Sequence, residues 1–281
     1  NSVLTSVDNS AAENYAAIVL NSPAEGTTVN LEGGKVVAYD EKGEESIAIS
    51  CATNAVVNID GTKLVGEKNV PVAIVYYANT DNFYSCSTLQ DAINTAVESN
   101  AAGVRVLFDI NLDEPVVIAE GKSVVLDLNG KTLTTTLEQE GRHHYAILNS
   151  GTLTLEGEGA INARGMKNFG KLVINGNLTI TNLDSNGGAA VWNEGEAVVN
   201  GGTFKSSLGA GAGSYGAAFN TRPGGKAVIN GGTFVAESQL TYGIVNEGET
   251  VINDATVSAK HGAVAGASGC KTVINGGSFS L

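Results

Sequence analysis

The chain has 281 residues, of which 42% are hydrophobic and only 16% charged, a composition that supports a folded core and excludes intrinsic disorder. Its formal net charge is −13 with 16 lysines and arginines, so no basic surface for nucleic acid is expected. No stretch reaches the roughly 20 consecutive apolar residues of a membrane-spanning helix, so membrane insertion is not expected either. The chain starts at Asn1 and its single methionine is Met166, which favours a processed or shortened chain.

Residues 1–83 contain two copies of a short motif, Val29-Asn-Leu-Glu-Gly33 and Val57-Asn-Ile-Asp-Gly61. Apolar and polar residues alternate in both copies, which predicts a strand with one buried face, and the glycine that follows predicts a turn. We expect two or three β-coils here, either stacked on the rest of the chain or folded as a separate small unit.

The chain has three cysteines, Cys51, Cys86 and Cys270, and their spacing fits no zinc site. A Cys51–Cys86 disulfide and buried free thiols are both compatible with the sequence, and free thiols are favoured.

Residues 84–102 interrupt the repeat and predict an amphipathic helix with a linker. We expect Ser87 to be the N-cap and the helix to continue to Glu98, with a continuous apolar stripe along one face. The stripe consists of Leu89, Ala92, Ile93, Ala96 and Val97.

Residues 103–281 carry further copies of the motif. We call the polar residue before the glycine of each copy its anchor; the anchors are Glu32, Asp60, Asn129, Glu156, Asn175, Asn200, Asn230, Asn253 and Asn275. An apolar residue precedes every anchor. Apart from one gap of 69 residues around the helix, subtraction of these positions gives steps of 19 to 30 residues. Such steps match one coil of a β-solenoid with loops of unequal length.

Four asparagines form a second series, because each begins an Asn-x-Gly and lies seven residues before an anchor. They are Asn149, Asn168, Asn193 and Asn246. We expect them to stack in a corner and to hydrogen-bond from coil to coil. A propeller blade of about 40 residues is too long for these steps, and a leucine-rich repeat needs more leucines. The predicted fold is therefore all-β: a right-handed, single-stranded parallel β-helix (β-solenoid) with one short amphipathic helix.

Three segments, Ser87–Asn94, Val104–Leu112 and Lys122-Ser-Val-Val-Leu-Asp-Leu-Asn-Gly-Lys-Thr-Leu133, together resemble the opening of pectate-lyase-like β-helix domains. The resemblance extends from Ser87 to Leu281. Such domains occur in bacterial surface and secreted proteins and in phage appendages, which implies an extracellular or cell-surface location. The fold carries lyases, hydrolases, adhesins and tailspikes, so the resemblance is more specific for fold than for function.

The enzymes of this family imply aspartate clusters for calcium with a basic residue, or Asp-Asp, Gly-His-Gly and Arg-x-Lys motifs. The chain contains none of these three motifs, so we expect no catalytic residues, no metal and no cofactor. The candidate ligand-binding residues, with a glycan as the expected ligand, are Arg142, His143, His144, Trp192 and Tyr215. Possible neighbours are Arg164, Asp184, Arg222, Lys260 and His261. The competing interpretation is an ordinary solvated loop with scattered, normally packed aromatic residues.

The last repeat ends at Leu281 without a capping element. An open solenoid end exposes unpaired strands and apolar core. We therefore expect self-association, into a homo-oligomer or fibre, through Thr272, Ile274, Phe279 and Leu281. The expected function is that of a non-catalytic, extracellular structural or adhesive protein. The alternatives are a carbohydrate-active enzyme (a polysaccharide lyase or hydrolase) and a phage tail fibre or spike.

Overall fold

The computed structural model describes residues 3–7, 16–20, 27–39, 47–51, 55–65, 67–78, 83–135, 138–139, 142–184, 187–206 and 216–281. The chain divides into two compact units, Asn1–Leu107 and Phe108–Leu281. The predicted division into residues 1–83, 84–102 and 103–281 stays a prediction. Among the described residues, no helix combines the length and the hydrophobicity needed to span a membrane.

The first unit begins with strands that visit three faces in turn. These strands are β1 (Val3–Val7), β2 (Ala16–Leu20), β3 (Thr27–Glu32), β4 (Lys35–Tyr39), β5 (Ile47–Cys51), β6 (Ala55–Asp60), β7 (Lys63–Val65) and β8 (Glu67–Asn69). They pair in parallel as β1-β4-β7, β2-β5-β8 and β3-β6. Val29 pairs with Val57 and Val36 with Leu64, so the two motif copies stack position for position. These residues form coils, as the sequence predicts.

The rest of the first unit is an antiparallel sheet with one helix. Its elements are β9 (Ala73–Tyr76), β10 (Phe83–Cys86), α1 (Leu89–Glu98) and β11 (Gly103–Val106), with β9 between β10 and β11. The N-cap is Thr88 and not Ser87, because Thr88 Oγ1 accepts a hydrogen bond of 3.1 Å from the Asp91 amide. The helix ends at Glu98 as predicted, and four residues of the predicted stripe, Leu89, Ala92, Ile93 and Ala96, are buried, whereas Val97 is half-buried.

Cys86, at the end of β10, is a buried free thiol, and Cys270 is a half-buried free thiol. Burial raises the pKa of the Cys86 thiol; a hydrogen bond with Thr95 opposes this shift and the negative charge of Asp91 adds to it. The side chain of Cys51 lies outside the part of the chain that the structure describes.

The second unit is a parallel β-helix. Its strands are β12 (Ile110–Asn111), β13 (Val116–Ile118), β14 (Ser123–Asp127), β15 (Lys131–Thr134), β16 (Glu138–Gln139), β17 (Arg142–His143), β18 (Ile147–Asn149), β19 (Thr152–Glu156), β20 (Glu158–Ala163), β21 (Met166–Asn168), β22 (Lys171–Ile174), β23 (Asn177–Asn182), β24 (Gly188–Asn193), β25 (Glu196–Val199), β26 (Thr203–Ser206), β27 (Gly216–Thr221), β28 (Lys226–Ile229), β29 (Thr233–Ala236), β30 (Thr241–Asn246), β31 (Glu249–Ile252), β32 (Thr256–Ala259), β33 (Gly262–Gly266), β34 (Lys271–Ile274) and β35 (Ser278–Ser280).

Three parallel sheets of the second unit contain one strand from each successive coil. Sheet 1 is β14-β19-β22-β25-β28-β31-β34, sheet 2 is β12-β15-β20-β23-β26-β29-β32-β35, and sheet 3 is β13-β18-β21-β24-β27-β30-β33. The fold is therefore an all-β parallel β-helix, as predicted. The β16–β17 pair is a separate antiparallel hairpin between β15 and β18.

The core is built from identical positions of successive coils. Ile180, Phe204, Phe234 and Val257 are neighbours in register in sheet 2, and all four are buried. The rings of Phe204 and Phe234 are stacked with centroids 4.8 Å apart, and Phe219 from sheet 3 packs edge-on against both at 6.2 Å. Side chains from different sheets thus share one core.

The prediction of Asn129 as an anchor is wrong. Glu156 pairs with Asp127 and not with the predicted anchor Asn129. Asp127 Oδ1 accepts a hydrogen bond of 2.8 Å from the Asn129 amide, and Asn129 adopts a left-handed conformation with φ 51°. The connection to the next buried residue in register is therefore one residue longer than at Glu156 and two residues longer than at Asn200. Because the shift is two residues, the same side chains still face the core.

The variation in repeat length is concentrated at one corner, between sheet 2 and sheet 3. There the connection ranges from two residues, 164–165 between β20 and β21, to the twelve residues 135–146 between β15 and β18, which include the β16–β17 hairpin. The corner between sheet 3 and sheet 1 holds the predicted asparagines. Asn149 Nδ2 donates to Asn168 Oδ1 and Asn168 Nδ2 donates to Asn193 Oδ1, both at 2.7 Å. We call these three residues the buried ladder.

The fourth asparagine of that series, Asn246, lies at the same corner but outside this chain of amides. Thr221 is its partner in the preceding coil, and Asn246 Nδ2 donates to Lys271 O and Thr272 Oγ1.

The anchors form a second ladder that the sequence did not predict. It lies on the surface at the corner between sheet 1 and sheet 2, and consecutive members are joined by a side-chain amide that donates to the amide oxygen of the preceding coil over 2.7 to 2.8 Å. We call it the exposed ladder; its members are Asn175, Asn200, Asn230, Asn253 and Asn275. The anchor column is thus a hydrogen-bonded stack as well as a series of turns.

Candidate ligand-binding face

The candidate residues of the sequence fall in different places. Arg142 and His143 form β17, and their side chains lie outside the described part of the chain. His144 follows this strand and is half-buried. Tyr215 lies outside the described residues altogether. Trp192 is the candidate whose surroundings the structure describes best, and it brings together a cluster of charged and aromatic side chains.

Trp192 projects from the outer face of sheet 3. Its neighbours in β24, Val191 and Asn193, are buried, because successive side chains of a strand point to opposite faces. In register with it stand Lys167 in β21 and Asn220 in β27. The β-helix therefore arranges these three side chains in a row across three coils.

One side of the cluster is held together by Glu194. Its Oε1 accepts a hydrogen bond of 2.8 Å from Trp192 Nε1 and lies 3.0 Å from Lys167 Nζ. Desolvation acts to raise the pKa of Glu194. The hydrogen bonds from Trp192 and Lys167, together with the charges of Lys167 and Arg222, outweigh it and hold this pKa below its ordinary value. Glu194 is therefore an ionised acceptor.

The other side of the cluster is held by Arg222, which follows β27. Its guanidinium lies 4.5 Å from the centre of the Trp192 ring, within cation–π distance. The same guanidinium forms an ion pair with Glu247 through Nη1. Asn220 Nδ2 donates a long hydrogen bond of 3.5 Å to that carboxylate. Arg222 is thus fixed between an aromatic face and a carboxylate.

A groove of about 350 Å³ opens beside this cluster. Trp192 and Tyr242 contribute aromatic surface, and Arg222, Asn220 and Glu247 contribute polar groups. The remaining lining residues are mostly small and apolar: Ala217, Val245, Ala265, Gly266 and Ala267. The Tyr242 ring is itself positioned by His261, whose ring meets it edge-on at 4.6 Å.

A second group of predicted neighbours forms a separate cluster at the corner between sheets 2 and 3. Arg164 Nε lies 3.2 Å from Asp184 Oδ2, and the Arg164 guanidinium lies 5.0 Å from the centre of the Tyr145 ring. Asp184 is buried, and its backbone amide donates to Asn182 Oδ1. This group links neighbouring corner segments.

Sequence reasoning found Trp192 and Arg222 but did not connect them, and it missed Lys167, Glu194 and Glu247. The alignment of anchors contained part of the connection, because Lys167 and Trp192 both stand eight residues before an anchor. Asn220 stands ten residues before its anchor, since a longer corner follows β27. Glu194 and Glu247 also share a repeat position, because each directly follows an asparagine of the Asn-x-Gly series, but their cationic partners do not share one and needed the structure.

The predicted self-association residues lie on the last coil, and their exposure differs sharply from that of earlier coils. Ile274 is 50% exposed, whereas its partner Ile252 is fully buried. Phe279 is 37% exposed, whereas Phe234, two coils earlier, is fully buried. Thr272 is half-buried and Leu281 is 85% exposed. Together these side chains form an apolar surface, which we call the terminal face.

No protein-family model, no curated protein and no solved structure matches the chain. Within the described residues, no group of three or more histidine, cysteine, aspartate or glutamate side chains is placed to hold a metal ion.

Proposed function

We propose that this chain is a non-catalytic structural or adhesive β-helix protein that works outside the cell and associates with further copies of itself. The observation that carries the proposal is the pair of asparagine ladders. Their amide side chains hydrogen-bond to one another from coil to coil, both inside the protein and on its surface. An amide is neither an acid nor a base at neutral pH, so these columns serve stacking and not proton transfer.

The Trp192 cluster is compatible with a binding role. Lys167 is paired with Glu194, and Arg222 with Glu247. Ionisable groups that neutralise each other hold a surface in a fixed shape, which suits recognition of a ligand. The lowered pKa of Glu194 also makes this carboxyl a poor proton donor at neutral pH.

The extracellular location and the pectate-lyase-like kind of β-helix belong to this proposal as well. They are supported by the resemblance of Ser87–Leu133 to the opening of such domains in secreted and surface proteins. The enzyme alternative predicts cleavage of a polysaccharide, and the proposal predicts none.

Self-association is proposed to occur through the terminal face. The occupant is the first coil, β1–β3, of a second copy. Each of these strands pairs in parallel with a strand of the next coil in its own chain. The strands of the last coil likewise pair in parallel with those of the coil before it. Docking the two coils would continue the parallel ladders and remove Ile274 and Phe279 from water. A head-to-tail contact of this kind repeats indefinitely and gives filaments.

Sedimentation velocity over a concentration series tests self-association. We expect the wild-type chain to form species that grow with concentration, and Ile274→Lys to remain monomeric. Leu240→Lys is the matched control, because Leu240 is a comparably exposed apolar residue in another part of the second unit. A monomeric wild type, or equal loss of association in both variants, would contradict the terminal-face contact. Release of reducing ends or unsaturated sugars from a polysaccharide panel would contradict the non-catalytic assignment.

A further inference from the structure

We infer that the groove between Trp192 and Tyr242 binds an uncharged saccharide. This inference deepens the adhesive part of the proposed function and is independent of self-association. The groove lies wholly within the second unit, on the outer face of sheet 3. Its volume of about 350 Å³ is in the range of small-molecule sites and is suited to one or two pyranose rings.

The lining of the groove matches the two kinds of surface that a pyranose presents. The faces of the sugar ring carry C–H groups, which pack on aromatic rings, and its edge carries hydroxyl groups. Trp192 and Tyr242 supply the aromatic surface, and Ala217 and Val245 extend the apolar part. Arg222 can donate hydrogen bonds to the sugar edge and Glu247 can accept them.

Asn220 adds an independent indication of a polar ligand. It lines the groove and is only 8% exposed, yet its Oδ1 has no hydrogen-bond partner among the described residues. A buried carbonyl oxygen without a partner costs free energy, and a hydroxyl is a donor that can satisfy it. Its amide nitrogen already points at Glu247, so the oxygen is the group left for a ligand.

The charge around the groove favours a neutral sugar over a uronate. Each cation of the cluster already has its carboxylate, Glu194 for Lys167 and Glu247 for Arg222. An acidic saccharide would therefore have to displace one of these carboxylates. It would also approach a chain with a formal net charge of −13. A neutral hydroxyl can use the same charged groups without breaking either pair.

Trp192 is the only tryptophan of the chain, so its fluorescence reports this groove alone. The test titrates the full chain with neutral gluco-, manno- and xylo-oligosaccharides and, separately, with oligogalacturonate. We expect a saturable change of emission with at least one neutral oligosaccharide and weaker or no change with oligogalacturonate. Absence of any response up to about 10 mM neutral saccharide would overturn the inference. Tighter binding of oligogalacturonate would overturn its charge argument.

Two variants separate the groove from the surrounding fold. Glu247→Gln removes the carboxylate acceptor and should weaken binding about tenfold or more, measured by the same fluorescence titration. Phe169→Ala is the matched control. Lys167 Nζ lies 4.5 Å from the centre of the Phe169 ring, but Phe169 does not line the groove. The affinity for saccharide should therefore be unchanged. Equal weakening in both variants would contradict a binding site at this groove. Sedimentation velocity of the same variants distinguishes the two proposals. A variant that no longer binds saccharide should still self-associate to the same extent as the wild type.

Discussion

The buried and the exposed ladder use the same side-chain hydrogen bond in two different environments. Between the side-chain amides, the distances are 2.7 Å in the buried ladder and 2.7 to 2.8 Å in the exposed one. Buried Asn168 also donates to Glu196 O at 3.0 Å, so it satisfies the backbone of a neighbouring coil. On the surface, water can replace every lost partner. Hydrogen bonds of equal length therefore contribute unequally to stability, because the cost of breaking a hydrogen bond is set by burial.

One pair of neighbouring coils approaches more closely at Gly195, beside the buried ladder, than at Gly201, beside the exposed ladder. At the buried ladder, a Cβ on Gly195 would collide with the backbone carbonyls of Phe169 and Gly170 in the preceding coil. At the exposed ladder, the nearest atom to a Cβ on Gly201 is Gly176 O at 3.6 Å, an ordinary contact. Between these two coils, the position of Gly195 therefore requires glycine for space, whereas the position of Gly201 does not.

Gly195→Ala should have the largest effect on the free energy of unfolding. The added methyl group forces two coils apart, which should lower the free energy of unfolding by about 4 kcal/mol. Urea denaturation followed by circular dichroism measures it. Gly201→Ala is the control and should stay within about 0.5 kcal/mol of the wild type. Similar losses in both variants would show that the two corners are equally tight, contrary to the structure.

Asn168→Ala should have the next largest effect. It removes the middle of the buried ladder and leaves Asn193 Oδ1 and the carbonyl of Glu196 without their donor. Buried polar groups left without partners should cost about 3 kcal/mol in total, again measured by urea denaturation. A loss under about 1 kcal/mol would mean that water reaches this corner.

Asn230→Ala makes the equivalent change in the middle of the exposed ladder. It removes the bonds to Asn200 and Asn253, but water can replace both. We expect a loss of about 1 kcal/mol or less in the same denaturation experiment. If Asn230→Ala cost as much as Asn168→Ala, burial would not be the factor that separates the ladders.

The smallest predicted effect concerns Glu194, which is next to Asn193 of the buried ladder but exposed. A folded-state pKa below the ordinary value means that the ionised carboxylate stabilises the protein above the ordinary glutamate pKa. This contribution is lost as the pH falls from about 5 through the lowered pKa. The melting temperature of Glu194→Gln should therefore fall less on acidification than that of the wild type. Carboxyl NMR titration that finds an ordinary or raised pKa for Glu194 would contradict the described contacts.

The fold could be predicted from the sequence because the β-helix repeats the same positions in every coil. The residue before each anchor and the phenylalanines after it recur in a column, so Phe204, Phe234 and Phe279 could be aligned without coordinates. The buried asparagines were found in the same way. The shift at Asp127 was missed, because a displacement of two residues preserves the alternation on which the alignment depends.

The candidate site could be predicted only in part, because the residue types at its repeated positions change from coil to coil, as from Lys167 to Trp192 and Asn220. Trp192 stood out as the only tryptophan, but its partners belong to three different coils and to corners of different length. The ion pairs Lys167–Glu194 and Arg222–Glu247 both join neighbouring coils at this corner, but Lys167 lies within β21 whereas Arg222 follows β27. A side chain outside the repeat has no column that predicts its neighbour.

The central proposal is that the terminal face of one copy joins the first coil, β1–β3, of the next copy. Electron microscopy of the wild-type chain at increasing concentration, beside Ile274→Lys, tests it most directly. The account predicts filaments of uniform width for the wild type and separate particles for the variant. Separate particles for both, at every concentration, would contradict end-to-end association.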